Sequence, residues 1–117
     1  TVTVLVPERP FVSRMLDAGA LGICLSHAEE PEQVEALVRW MKYAPVGERG
    51  LALGANVDYA GSDVARYCRE ANEATMLILK IESWRGVQNA AALLDNPWVD
   101  AVVFGPGYQR TQPAGRI

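Results

Sequence analysis

Glu82 is the side chain with the clearest chemical potential, because it follows directly on the apolar run Met76-Leu-Ile-Leu-Lys-Ile81. A carboxylate at the carboxyl end of a buried strand serves as a metal ligand or general base where the strand opens into a site; otherwise it is a solvated neighbour of the next helix cap, ahead of Trp84. Lys80 lies two positions earlier, hence on the same face of that strand. Its amine could form a Schiff base or pair with a carboxylate, Glu82 or Asp100. His27, the single histidine, stands three residues after Cys24. A structural zinc site takes four ligands, more than the chain supplies around it, so His27 reads as a loop residue with local hydrogen bonds. Arg49, between Gly47-Glu48 and Gly50, either clamps a carboxylate bidentately or ties its own loop down. Gly105-Pro-Gly107 either offers backbone N–H groups to an anion or makes a plain turn, and it matches no Walker or dinucleotide fingerprint.

These groups need elements to position them. Thr1 to Val6 is short, β-branched and apolar and stops at Pro7, which predicts a buried strand. Ser13 to Ala18 predicts a short helix closed by Gly19, and Leu21 to Leu25 a second buried strand. Glu30-Pro31 suits a helix start, and Val34, Leu37, Val38 and Met41 recur at the spacing of one helix face. From Tyr43 to Ser62 the periodicity fails among Pro45, Gly47, Gly50, Gly54 and Gly61, which predicts a long loop. Asp63 to Ala74 is helical in pattern, Met76 to Ile81 a strand, Trp84 to Leu94 a helix stopped before Pro97, and Val99 to Phe104 a last strand. The order β-α-β-α-loop-α-β-α-β predicts an α/β fold with a parallel sheet and right-handed crossovers. In such folds ligands gather beyond the carboxyl ends of the strands. That rule selects Pro7-Glu8-Arg9, Ser26-His27, Glu82-Ser83 and Gly105-Pro-Gly-Tyr108.

The chain has 117 residues, half of them apolar and 21% charged, with a net charge of −3, the balance of one globular domain over 1–117. A complete (β/α)₈ barrel takes ~250 residues, so only part of one fits. No apolar run reaches the ~18 residues of a membrane span, and no basic stretch leads into an apolar one at the start. Neither a membrane nor, at this charge and without a basic cluster, nucleic acid is an expected partner. Cys24 and Cys68 make no disulfide framework and are expected as reduced thiols of a cytoplasmic protein.

Five blocks in register extend this reading: Leu16-Asp-Ala-Gly-Ala-Leu-Gly22, Tyr43-Ala-Pro-Val-Gly-Glu-Arg-Gly50, Tyr67-Cys-Arg-Glu-Ala-Asn72, Ile78-Leu-Lys-Ile-Glu82 and Val99-Asp-Ala-Val-Val-Phe-Gly-Pro106. Together they resemble the HpcH/HpaI family of aldolases and lyases. The resemblance implies a TIM barrel, a divalent metal (Mg²⁺ or Mn²⁺) acting as Lewis acid, and reversible C–C cleavage that yields pyruvate or a related 2-oxo acid. It matches Glu82 to the first metal carboxylate. It matches Tyr108 to the second metal carboxylate, Leu5 to the catalytic arginine, Ser26 to a strand-end proline and Lys80 to a glutamine. The family's acid/base histidine would lie upstream of Thr1 and the last two strands beyond Ile117. Tyrosine is a poor Mg²⁺ ligand, and one preorganised oxyanion donor alone is worth ~10²–10³ in rate.

The resemblance therefore implies a truncated, chemically degenerate member, a half-barrel of about four strands. Its metal would be weak or lost, replaced electrostatically by Lys80. It would hold a small carboxylate at the strand ends among Glu82, Arg49, Gly105 and Pro106. Four open strands expose two edges and an inner face, so self-association into a homo-oligomer is expected. The alternative is a non-catalytic interaction module whose exposed half-barrel is itself the function; a third reading has a neighbouring chain supply the missing groups of an active lyase.

Overall fold

A computed structural model describes the strand Val2–Val4 and residues 8–51 and 64–105. Four strands, β1 (Val2–Val4), β2 (Gly22–Leu25), β3 (Met76–Ile81) and β4 (Ala101–Phe104), form one sheet in the order β1-β2-β3-β4. Every pair is parallel: Ile23 faces Leu77, Leu25 faces Leu79, and Ile81 faces Phe104. A doubly wound sheet reverses its strand order at a switch point. This one advances one strand at a time, as in a (β/α) barrel. β1 and β4 each have one partner, so the described sheet is open at both edges.

The two-residue period of the strands sorts the faces. Ile23 and Leu25 of β2 and Leu77, Leu79 and Ile81 of β3 are fully buried, in one core with Val12, Leu16, Val34, Leu37, Val38, Met41 and Leu93. Cys24, Ile78 and Lys80, on the opposite parity, are only partly covered. The helices therefore pack on one side of the sheet, and the other side is open as the inner face of a partial barrel.

The crossover helices are α1 (Arg9–Asp17), α2 (Pro31–Met41), α3 (Val64–Ala74), α4 (Trp84–Gln88) and α5 (Ala90–Leu93). The first begins four residues before the predicted Ser13, with Pro10 in its first turn, where a missing N–H costs nothing. It ends as predicted at Gly19. That glycine has φ +105°, and the N–H groups of Gly19 and Ala20 close back on the carbonyls of Leu16 and Met15. α2 buries the predicted stripe, Val34, Leu37, Val38 and Met41. Its first turn is secured by Gln33, whose Oε1 accepts from the N–H groups of Glu29 (2.8 Å) and Glu30 (2.9 Å). The single helix expected over Trp84 to Leu94 is instead two short ones divided at Asn89 (φ −94°, ψ 6°). The Asn89 amide leaves the helix line to donate to the Glu29 carbonyl at 2.7 Å, a tertiary bond that helical periodicity does not register.

The loop expected from Tyr43 is described through Leu51 and is anchored by the buried Tyr43 and Arg49; its remainder lies outside the described residues. Lys42 and Tyr43 are almost wholly buried. The Lys42 ammonium donates to the carbonyls of Asn72 and Thr75 and to the Thr75 hydroxyl (2.9 Å), and it lies 5.1 Å from the centre of the Trp98 ring. Burial holds its pKa below the ordinary lysine value, and the nearby Asp100 carboxylate opposes that shift. Asn72 pairs twice with the Tyr43 backbone: Oδ1 accepts from the Tyr43 N–H at 2.7 Å and Nδ2 donates to the Tyr43 carbonyl at 3.1 Å. These bonds clamp the loop to the end of α3, at the amino-terminal rim of the sheet.

Candidate functional site

The opposite, carboxyl-terminal rim gathers the residues that follow β2, β3 and β4. The ladder continues past the strands: the Ala28 N–H donates to the Lys80 carbonyl (3.1 Å) and the Gly105 N–H to the Ile81 carbonyl (2.8 Å). Ser26 and His27, Glu82, and Gly105 are thereby brought together from three distant segments of the chain. The Ser26 hydroxyl donates to Glu82 Oε2 at 2.7 Å, and the His27 backbone N–H donates to the same oxygen at 3.2 Å. His27 Nε2 stands 3.7 Å from Oε2, and the Lys80 ammonium 3.4 Å from Oε1. His27 adopts φ +52°, a left-handed conformation that costs a non-glycine residue ~1–2 kcal/mol. The turn directs its N–H onto the carboxylate.

Gly105 closes the back of this cluster. A Cβ there would stand 2.9 Å from Glu82 Cγ and 3.3 Å from Oε1, so the absence of a side chain lets the carboxylate lie against the end of β4. The Ser26 hydrogen bond, more than any other contact, holds the Glu82 pKa below the usual glutamate value; partial burial opposes it, and the His27 N–H and Lys80 reinforce it. Glu82 is thus an ionised, oriented carboxylate with a 17% exposed side chain, accompanied by a cation whose side chain is 39% exposed.

Of the residues expected around a carboxylate ligand, Glu82 and Gly105 meet and Arg49 does not. The Arg49 guanidinium donates to Asp17 Oδ1 at 3.0 Å and stacks 4.5 Å over the Tyr43 ring, with only 4% of the side chain exposed. It lines a cavity of about 250 Å³ with Leu21 and Thr75, the residues just before β2 and β3. A six-residue strand separates that rim from Glu82, ~20 Å of extended chain. Arg49 therefore ties its loop to α1, the second of the two roles its sequence context left open. Pro106, Tyr108 and Leu5 lie outside the described residues. Ser26 is the participant that motif reading undervalued. Its signal is register: the residues following β2 and β3 adjoin across a parallel pair.

A divalent ion such as Mg²⁺ or Mn²⁺ needs several hard oxygen donors at 2.0–2.6 Å. The cluster offers one carboxylate, and both its oxygens already face donors: Ser26 and the His27 N–H at Oε2, Lys80 at Oε1. Among the described residues, no group of three or more His, Cys, Asp or Glu side chains could enclose an ion. This donor set, which includes an ammonium, does not fit the metal that the resemblance implied.

The comparisons with known proteins agree with the sheet order. The family model for HpcH/HpaI aldolase/citrate lyase matches residues 2–108. The chain belongs to the HpcH/HpaI aldolase/citrate lyase family. A hydroxypyruvate/pyruvate aldolase from Delftia acidovorans is 39% identical over 96 residues, which cover 82% of this chain and 36% of that protein. The crystal structure of an HpcH/HpaI aldolase from Desulfitobacterium hafniense superposes with a TM-score of 0.85 at 32% identity, over 90% of this chain and 40% of that one. Macrophomate synthase superposes with a TM-score of 0.77 at 29% identity, over 97% and 41%. The chain thus spans about two fifths of the length of these relatives, and its four parallel strands alternating with helices form part of a TIM-type barrel.

Proposed function

We propose that the carboxyl-terminal rim of this partial barrel binds a small 2-oxo acid of the pyruvate class, the compounds on which the family's reversible C–C cleavage operates. The observation that carries this reading is the preorganised cluster of Glu82, Ser26, His27 and Lys80 at the ends of β2 and β3, against Gly105. Polar groups fixed in advance at strand ends stabilise charge without reorganising during a reaction. The aldolases among its relatives support the substrate class. The cluster as described lacks a second metal carboxylate and an oxyanion arginine, so this chain is read as a degenerate member with the metal weakened or lost. Its setting is a reducing cytoplasm, consistent with the free thiols of Cys24 and Cys68. No helix among the described residues is long and apolar enough to cross a membrane.

Incubation with pyruvate and an aldehyde, in EDTA and in Mn²⁺, tests the reading. Saturable pyruvate binding, or a new C–C product, that Glu82→Ala abolishes is the expected result. An unchanged rate or affinity in Glu82→Ala removes Glu82 from the site.

A second reading rests on a different observation. Met76, Val103 and Phe104 on the open sheet are 41%, 49% and 54% exposed. Apolar strand residues in such positions favour self-association over the open face and edge. Light scattering after size exclusion separates the two: a stable monomer that binds pyruvate refutes assembly as the function.

A further inference from the structure

The mismatch between the rim and a divalent ion has a chemical content of its own, which rests on the proposed carboxylate-binding reading. We infer that Lys80 is the built-in cation of this site: its ammonium stands at Glu82 Oε1, where a divalent ion would have to bind, and the rim takes its anionic ligand without a divalent metal.

Three observations carry this. First, both carboxylate oxygens are engaged by groups of the chain itself, with Lys80 Nζ 3.4 Å from Oε1 and the Ser26 hydroxyl 2.7 Å from Oε2. Second, the carboxylate cannot readily turn away to expose a fresh lone pair. Ser26 and the His27 N–H hold one oxygen, and the Gly105 backbone lies so close behind that even a Cβ there would be 2.9 Å from Glu82 Cγ. Third, Lys80 projects from the same strand face as Glu82 and keeps its side chain 39% exposed on the open side of the sheet. An ammonium has three donors, and Glu82 takes one, so a ligand carboxylate or carbonyl oxygen can be met by the others.

The repulsion is large enough to decide occupancy. A unit and a double positive charge ~4 Å apart repel by an amount equivalent to ~30-fold in affinity even at the dielectric constant of water, and by more at a partly buried rim. Conversely, neutralising Glu82 with an ammonium leaves the cluster without net negative charge, so that an incoming anion is not turned away.

Paramagnetic broadening by Mn²⁺ tests the inference without relying on activity. The His27 amide, donated to Glu82, reports on any ion at that carboxylate in a ¹H–¹⁵N spectrum, and the dispersion of the same spectrum checks that each variant is folded. The His27 signal of Lys80→Gln should broaden at a Mn²⁺ concentration ~30-fold lower than in the wild-type protein, and adding Glu82→Gln should erase that difference. A difference below ~10-fold, or one that survives Glu82→Gln, overturns the inference. Pyruvate titration of the wild-type protein in EDTA and then in Mn²⁺ runs alongside. Binding that needs Mn²⁺ also overturns it. Absence of pyruvate binding in both media refutes the substrate-class reading alone, since the Mn²⁺ comparison still decides the role of Lys80.

Discussion

Replacing Asn72 by Ala should destabilise the fold by roughly 2–4 kcal/mol, a large loss for a polar residue on a helix whose other side chains are exposed or partly covered. The magnitude follows from what each Tyr43 group would have left. The Tyr43 N–H has Asn72 Oδ1 as its partner at 2.7 Å in a buried setting. Orphaning a buried donor costs about 1–3 kcal/mol. The Tyr43 carbonyl loses the Asn72 Nδ2 bond but keeps the Gly47 N–H at 3.1 Å, so its share is one net hydrogen bond, about 0.5–1.5 kcal/mol. The Lys42 bond to the Asn72 carbonyl involves backbone and survives the substitution. Urea unfolding followed by circular dichroism measures the difference, provided the slope of the transition is unchanged. Glu70→Gln, which breaks an exposed pair with Arg66 one helical turn away, serves as a reference and should cost no more than about 0.5 kcal/mol. A loss below about 1 kcal/mol in Asn72→Ala would refute the argument that this side chain holds the loop to α3.

Four further outcomes follow from the same geometry. Gly47→Ala should cost at least ~3 kcal/mol or prevent folding, because its Cβ would stand 2.8 Å from the Arg39 carbonyl and 2.9 Å from that of Val38, with the Lys42 carbonyl against it as well; thermal melting and the soluble yield measure it. The Tyr43 pKa is raised to about 12, chiefly by burial and against the opposing Arg49 cation. The folded state therefore keeps the phenol neutral while the unfolded chain ionises near pH 10, so stability present below pH 10 should fall by about 2 kcal/mol between pH 10 and 12. Tyr43→Phe should remove that dependence in alkaline urea titrations. For Glu82 the sign is reversed: its lowered pKa contributes stability above the ordinary glutamate range that is lost as pH falls through the folded value, and carboxyl ¹³C titration of Ser26→Ala should find that value moved upward. Arg49→Ala should lower stability by about 1–3 kcal/mol in urea, through loss of the Asp17 ion pair and the Tyr43 stack; no measurable change would deny it the role of loop anchor.

Much of this protein is written locally. The stripe of Val34, Leu37, Val38 and Met41, the closing Gly19, and the apolar runs that become β2 and β3 are local patterns, and each appears where its periodicity places it. Helix spacing and strand parity depend on nearest neighbours along the chain. The five blocks in register carried the family in the same way, and with it the partial barrel. Glu82 as the centre of the rim was also legible, since a carboxylate after a buried strand needs only the strand to be placed.

What the sequence left open was decided by contacts between distant segments. Arg49 stood equally well for a ligand clamp or a loop tie, and the choice fell to Asp17 and the Tyr43 ring, at the rim opposite Glu82. Asn89 divides a helix that its periodicity would run through, because its amide finds the Glu29 carbonyl sixty residues away. Lys42, just past the end of α2, is buried, and the two carbonyls and one hydroxyl of Asn72 and Thr75 make that burial tolerable. At the rim, sequence supplied Glu82 and Lys80 on one strand face, whereas the parallel register of β2, β3 and β4 brought Ser26, the His27 N–H and Gly105 to the same carboxylate. Periodicity determines which way a side chain points; only the packed sheet determines what it meets there.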